Sequence, residues 1–196
     1  SFRDIALMGS LPNITIVQPL NDCETKAVVD WSVNMAEESC AIRLAIGPSP
    51  RKILYKNNWE LEFGIGTTIL DGSDAILIAY GPVMVNEALK AAEILSDQGI
   101  SLKVINMPWL NRFNEDWLNS TFSNDLNIYV IEDHNVFGGL ADNLLPLLIA
   151  ENLISNCNFN KFGIKGFPKC GTPPEVLKYH ELDGMSISKN IIKTLQ

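Results

Sequence analysis

The sequence has no basic run longer than Arg51-Lys52, and across its 196 residues 23 Asp and Glu outnumber 15 Lys and Arg, leaving a net charge of −8. Binding to nucleic acid or to an anionic membrane needs a basic surface, so neither is expected as a partner. No window carries an apolar run long enough to span a bilayer. The first residues, Ser1-Phe2-Arg3-Asp4, make neither a signal nor a transit peptide. They also lack an initiator Met, which reads as a processed product, an engineered piece or a fragment. None of Cys23, Cys40, Cys157 and Cys170 falls in a CxxC pair. A zinc site is therefore not expected, and the four thiols read as reduced in a cytoplasmic protein. A nucleophile elbow, a P-loop and a GxGxxG fingerprint are all missing, as are internal repeats and low-complexity tracts.

What is present is 46% apolar residues arranged in alternating strand and helix patterns. Ile14–Leu20 reads as a strand, Asn21 or Asp22 as a cap, and Cys23–Glu38 as a helix with Val28, Val29, Trp31 and Met35 on its buried side. Cys40–Ile46 completes a β-α-β unit. Residues 47–60 hold Pro48, Pro50 and Asn57-Asn58 and read as a linker. A second unit follows, with strands at Phe63–Leu70, Ala75–Tyr80, Ser101–Met107, Asn127–Ile131 and Phe162–Phe167. Its helices are expected at Pro82–Asp97, Asn114–Phe122, Gly139–Leu153, Pro174–Tyr179 and Ser188–Thr194. Pro146 should kink or break the one it falls in. The expected architecture is α/β: two three-layer subdomains with largely parallel sheets, the first truncated, over residues 1–46 and 61–196.

Glu132-Asp133-His134, followed by Gly138-Gly139, lies where the 127–131 strand gives way to a helix, the edge at which open α/β sheets bind ligands. Two acids beside a histidine could transfer protons or hold a metal. They could equally form an ordinary turn or a domain contact. Arg43, in a strand, could pair with an anionic ligand or with an acid of its own fold. Arg3-Asp4 reads as a solvated pair, Trp109 as cleft, core or interface, and Thr172 as a helix cap. His180 is isolated.

Several of these stretches together resemble the transketolase family. Residues 4–13, Asp-Ile-Ala-Leu-Met-Gly-Ser-Leu-Pro-Asn, with Pro19 and Glu24, resemble the second half of its pyrimidine-binding domain. Ala41-Ile42-Arg43-Leu44 resembles the strand that ends that domain. Residues 75–81 with Glu87-Ala88, the Glu132-Asp133-His134 and Gly138-Gly139 motif, and the tail 168–182 resemble the family's C-terminal domain. The resemblance extends more distantly to deoxyxylulose-phosphate synthase.

The resemblance implies a homodimeric enzyme that uses thiamine diphosphate and Mg²⁺ to move a two-carbon ketol unit between sugars. Its catalytic residues would all lie outside this chain, with the cofactor-activating glutamate upstream of Ser1. The Gly-Asp-Gly diphosphate motif does not occur. The chain alone is therefore expected to bind no cofactor and to be inactive until an upstream segment or a partner subunit completes it. Arg43 and Arg3 become candidate substrate contacts, and Glu132, Asp133, His134, Gly138 and Gly139 become candidate interface residues with no metal. Ile46 stands where relatives carry a second, phosphate-gripping arginine, which argues against an ordinary sugar-phosphate substrate. The competing readings are a non-catalytic assembly domain and part of a 2-oxoacid dehydrogenase β-subunit.

Overall fold

In the five-stranded sheet at the centre of the molecule, strand order is β3-β5-β4-β6-β7, all parallel except β3 (Thr67–Leu70), which runs antiparallel to β5 (Leu102–Asn106). The others are β4 (Ala75–Ala79), β6 (Asn127–Asn135) and β7 (Phe159–Ile164). A second sheet has two parallel strands, β1 (Ile14–Val17) and β2 (Ser39–Ile42), joined by α2 (Asp22–Asn34). Ahead of them lies the short helix α1 (Asp4–Gly9). The remaining helices are α3 (Gly81–Ser96), α4 (Glu115–Thr121), α5 (Leu140–Ala150), α6 (Pro173–Tyr179) and α7 (Gly184–Leu195). This computed structural model describes residues 2–46, 49–55, 58–122, 127–155 and 158–195. Cys157 and the linker residues Gly47, Pro48, Lys56 and Asn57 lie outside the described residues. Cys23, Cys40 and Cys170 are free thiols. Among the described residues no helix is long and apolar enough to cross a membrane.

The period-2 alternation of the central strands sorts their side chains into two cores. Leu77 and Ala79 of β4, with Val104, Tyr129 and Ile131, face α3 and α7. Ile76 and Ile78, with Ile105, Ile128 and Val130, face α5 and α4. The β1–α2–β2 unit closes over this second face, and Ile5, Ile16, Val17, Val28 and Trp109 join the same core. Trp109 is fully buried between the units, edge-on to Trp31 at 4.7 Å and donating its indole N–H to the Glu62 carbonyl at 2.9 Å.

Local chemistry explains most element ends. Asn21 is the cap of α2, its side chain accepting from the Glu24 N–H at 2.9 Å, and β1 stops short of Pro19, which has no N–H to continue a ladder. Thr172 and Glu175 close a capping box on α6. Several expectations need correction. Pro146 sits inside α5 without breaking it, because the helix is held on the core by Leu144 and Leu148 on either side. Val29 and Met35 are exposed, at 46% and 69%, so α2 buries a narrower face than its apolar pattern suggests. β2 ends at Ile42, β7 begins at Phe159, and α7 begins at Gly184. β6 runs through to Asn135, so Glu132, Asp133 and His134 lie within the strand.

Candidate functional site: the junction between the two units

The strand order places β4 between β5 and β6, so the crossover from β4 steps to one side and the next, to β6, returns to the other, which puts the topological switch between β4 and β6. In open α/β sheets the crevice beyond the strand ends at such a switch is where ligands bind. Here the first unit fills it. The Gln18 side chain packs on Gly81 so closely that a Cβ there would meet its Nε2 at 2.3 Å. Gln18 Oε1 accepts from Arg43, whose guanidinium lies 5.7 Å from the centre of the Tyr80 ring. Arg43 Nε and Nη2 donate to the two Asp4 carboxylate oxygens at 2.8 and 3.2 Å, and Nη1 reaches Asp133 Oδ1 at 3.3 Å. Three elements, α1, the end of β2 and β6, thus meet on one cation. Burial alone would lower the pKa of Arg43, but the Asp133 and Asp4 charges raise it above its ordinary value. Burial raises that of Asp4, yet the bonds from Arg43 hold it below the usual carboxylate range.

His134 is fully buried beside this cluster. Its Nδ1 lies 2.8 Å from the Asn135 carbonyl, which can only accept, so Nδ1 carries the hydrogen. Nε2 is then the acceptor for the Ala6 N–H at 3.4 Å, and the Asn135 N–H donates to the Phe2 carbonyl at 2.7 Å. Nδ1 fixes the ring on its own strand, and Nε2 holds α1 on β6. Gly138, at φ 77°, packs against α1 as well: a Cβ would come within 2.6 Å of the Ala6 Cβ.

Glu132 is buried under Gly139, where a Cβ would sit 1.9 Å from Glu132 Oε2. That oxygen accepts from the Leu140 N–H at 2.8 Å, at the N-terminus of α5. Burial pushes the carboxyl up to about 8, opposed by bonds from the Leu140 and Ala141 amides. Asp133, His134 and Gly138 thus meet Arg43 or α1, whereas Glu132 and Gly139 contact each other and the start of α5 within the larger unit. Arg3 is exposed at its rim, 5.9 Å from the Phe2 ring centre.

Sequence reasoning missed a second polar knot. Glu24 is fully buried, with Oε2 accepting from the Leu20 N–H at 2.5 Å and Oε1 from the Tyr55 hydroxyl at 2.9 Å and Asn106 Nδ2 at 3.1 Å. Burial raises it to about 7 against those bonds. It ties α2, the 49–55 segment and β5 together. The signal available was an acid on the helix face that also carries Val28. A third tie, Arg112 to Glu38 at 2.8 and 3.0 Å, joins the stretch after β5 to the start of β2.

The donor set does not fit a magnesium diphosphate. Among the described residues no three His, Cys, Asp or Glu side chains gather to hold a metal. Asp4 and Asp133 are neutralised by Arg43, and Glu24 and Glu132 accept from neutral groups inside the fold.

Fold and junction define an α/β domain in which the crevice between β4 and β6 is filled by the β1–α2–β2 unit. Residues 64–187 match the family model for the transketolase C-terminal domain, and the chain belongs to that family. A Methanocaldococcus jannaschii protein named as a transketolase C-terminal section is 32% identical over 99% of this chain and 60% of its own length. The 1-deoxy-D-xylulose-5-phosphate synthase of Listeria innocua is 28% identical over 98% of this chain and 30% of its own. A solved structure described as a split gene transketolase, inactive beta4 tetramer, superposes with a TM-score of 0.88 at 26% identity, covering all of this chain and 62% of that one. The chain thus spans less than two thirds of the length of these relatives.

Proposed function

We propose that this chain is the C-terminal part of a thiamine-diphosphate-dependent, transketolase-like transferase that moves a two-carbon ketol unit between sugars. In this reading the chain docks and positions, and it performs no chemistry alone. The observation that carries it is the filled crevice between β4 and β6, where Arg43 and Gln18 occupy the space a ligand would use. Bound outside this chain in the complete enzyme, thiamine diphosphate would supply the electron sink for ketol transfer, and Mg²⁺ would offset the charge of its diphosphate. The groups that hold and activate it lie on an upstream segment or a partner subunit, in a cytoplasmic homodimer. What this chain supplies is the seat: Arg43 joins β2 and α1 to β6, His134 fixes α1, and Glu132 receives the amide end of α5.

Glu132, Asp133, His134, Gly138 and Gly139 act in this reading as contact residues and transfer no proton. Arg43 could reach a substrate only by leaving Asp4 or Asp133, while Arg3 at the rim is the better placed of the two arginines. Ile46 offers no donor to a phosphate, so replacing it with Arg in the completed enzyme should raise kcat/KM for a phosphorylated sugar by about tenfold, or roughly 1.4 kcal/mol.

The test is titration calorimetry with thiamine diphosphate and Mg²⁺, first on this chain and then on the chain joined to the missing segment. No heat from the chain and saturable binding by the joined protein are expected. Micromolar affinity of the chain alone, about −8 kcal/mol, would overturn the reading.

A further inference from the structure

Charge is unevenly divided along this chain. Residues 159–196 hold six Lys against three acids, Glu175, Glu181 and Asp183, whereas residues 1–158 hold 9 Lys and Arg against 20 Asp and Glu. These lysines are scattered, so no basic run marks them, but the fold gathers some of them at one place. Beside β7, the end of α6 and the last turns of α7 border a groove of about 500 Å³, a size that suits a small molecule. Asn160, Phe162, Lys165, Tyr179, His180 and Lys193 line it, and the one acid of its lining, Glu181, is exposed.

The cations of this groove are uncommitted. Lys161, also on β7, is spent elsewhere, with Nζ 2.5 Å from Asp142 Oδ1 and 5.0 Å from the centre of the Phe137 ring. Lys165 and Lys193 are exposed and have no acid partner among the described residues. A lysine can blunt a sheet edge or complement the last turn of a helix, which accounts for each of them singly. It does not account for Asn160, whose side chain lies on the Phe162 face of β7 and whose amide nitrogen is buried with no partner. Native folds carry few such unmet donors. Rotation about χ2, which is soft in Asn, would bring this N–H₂ to the groove. His180 Nε2 accepts from the Lys169 N–H at 3.3 Å, so Nδ1 carries the ring hydrogen and is a further donor. Two ammonium groups, an amide and an imidazole N–H thus stand beside Phe162 and the exposed Tyr179. A carboxylate would bring one negative charge to the two lysines, whereas a phosphate monoester brings nearly two.

We propose that this groove binds a small organic phosphate, with Lys165 and Lys193 on the phosphate charge, Asn160 and His180 as donors, and Phe162 and Tyr179 against the organic body. The site shares no residue with the Arg43 junction and does not depend on the proposed transferase activity.

The test follows the amide resonances of this chain while phenyl phosphate, inorganic phosphate and benzoate are added in turn. Saturable shifts are expected at Gly163, Lys165, His180 and Lys193 and in the Asn160 side-chain amide, with a Kd of about 1 mM for phenyl phosphate and about fivefold weaker binding of the other two. Lys165→Gln and Lys193→Gln should each weaken phenyl phosphate binding by about fivefold. Lys189→Gln removes the same charge from an exposed position of α7 outside the groove and should change nothing. Shifts that never saturate, or that centre on Arg43, would overturn the proposal. So would equal weakening by Lys189→Gln, because the attraction would then be diffuse. Saturation by a hexaglutamate peptide with none by phenyl phosphate would overturn it as well, since the groove would then serve an acidic chain segment.

Discussion

The five-stranded unit buries both faces of its sheet under helices of its own, whereas the β1–α2–β2 unit buries one face, and does so in the other unit's core. Leu77, Val104 and Tyr129 are enclosed by α3 and α7 without help from residues 2–46, apart from Leu20 at the margin and the half-buried Phe2 packed against it. Ile16, Val17 and Val28 have no core apart from Trp109, Ile78 and Val130 of the larger unit. The smaller unit is attached by three polar knots, those of Arg43, Glu24 and Glu38, and all three cross between the units. A unit that borrows its core should fail first when the junction is weakened, and four measurements sharpen or break that contrast.

The largest effect is expected from Trp109→Ala. Deleting a fully buried indole shared by both units costs about 3–5 kcal/mol. Amide exchange should show β1 and β2 losing protection while β4 and β6 keep theirs. Equal loss in all four strands would mean that the units unfold as one.

Arg43→Met comes next. It leaves Asp4 and Asp133 facing each other without their cation, but both retain some contact with water, so about 2–3 kcal/mol is expected in chemical denaturation. The loss should be larger at pH 7 than in acid below the ordinary carboxylate range, because Arg43 holds the Asp4 pKa down in the parent and the stability this gives is lost as Asp4 is protonated. A pH-independent loss would assign the cost to packing over Tyr80.

Glu24 and Glu132 place one perturbed acid in each region, and the sign follows from their raised values. Between pH 4.5 and about 7 the unfolded chain has released the Glu24 proton and the folded chain has not, so stability falls as pH rises; for Glu132 the fall continues to about 8. Glu132→Gln keeps an acceptor for the Leu140 amide and removes the titration. It should raise the stability at pH 8 by about 1–3 kcal/mol relative to the unaltered chain and change little at pH 5. Glu24→Gln should flatten only the lower window. A variant as pH-dependent as the parent would show that its carboxyl is ionised inside the fold.

The smallest effect should come from Arg51→Ala. Its pair with Glu93, at 2.7 Å, is exposed on α3 and should contribute less than about 1 kcal/mol. A larger loss in thermal unfolding would make the 49–55 segment a structural strap.

Much of this was legible in the chain. Ala75–Ala79 and Leu102–Asn106 are short apolar runs, and the first of them is rich in isoleucine, with β-branched Val104 and Ile105 in the second. Gly81-Pro82 opens α3, and Thr172-x-x-Glu175 opens α6. These signals are local, so they survive without knowledge of the fold. The partner of Arg43 was not legible, because Asp4 is 39 residues away and Asp133 is 90. Nor was Glu24, whose helix position looks like that of any surface acid until Asn106 closes over it from 82 residues away. Val29 and Met35 misled for the same reason, since apolar spacing gives a helix its stripe and does not say how much of the stripe finds a neighbour.

By itself the sequence determined the α/β alternation, the caps, the absence of any long basic run and the family to which the chain belongs, because propensity, periodicity and motif spacing act within a few residues of one another. Only the tertiary structure decided that the crevice between β4 and β6 is filled from within and that His134 uses both nitrogens on backbone. Each of those depends on which distant groups are brought within about 3 Å, the range at which a hydrogen bond or an ion pair acts.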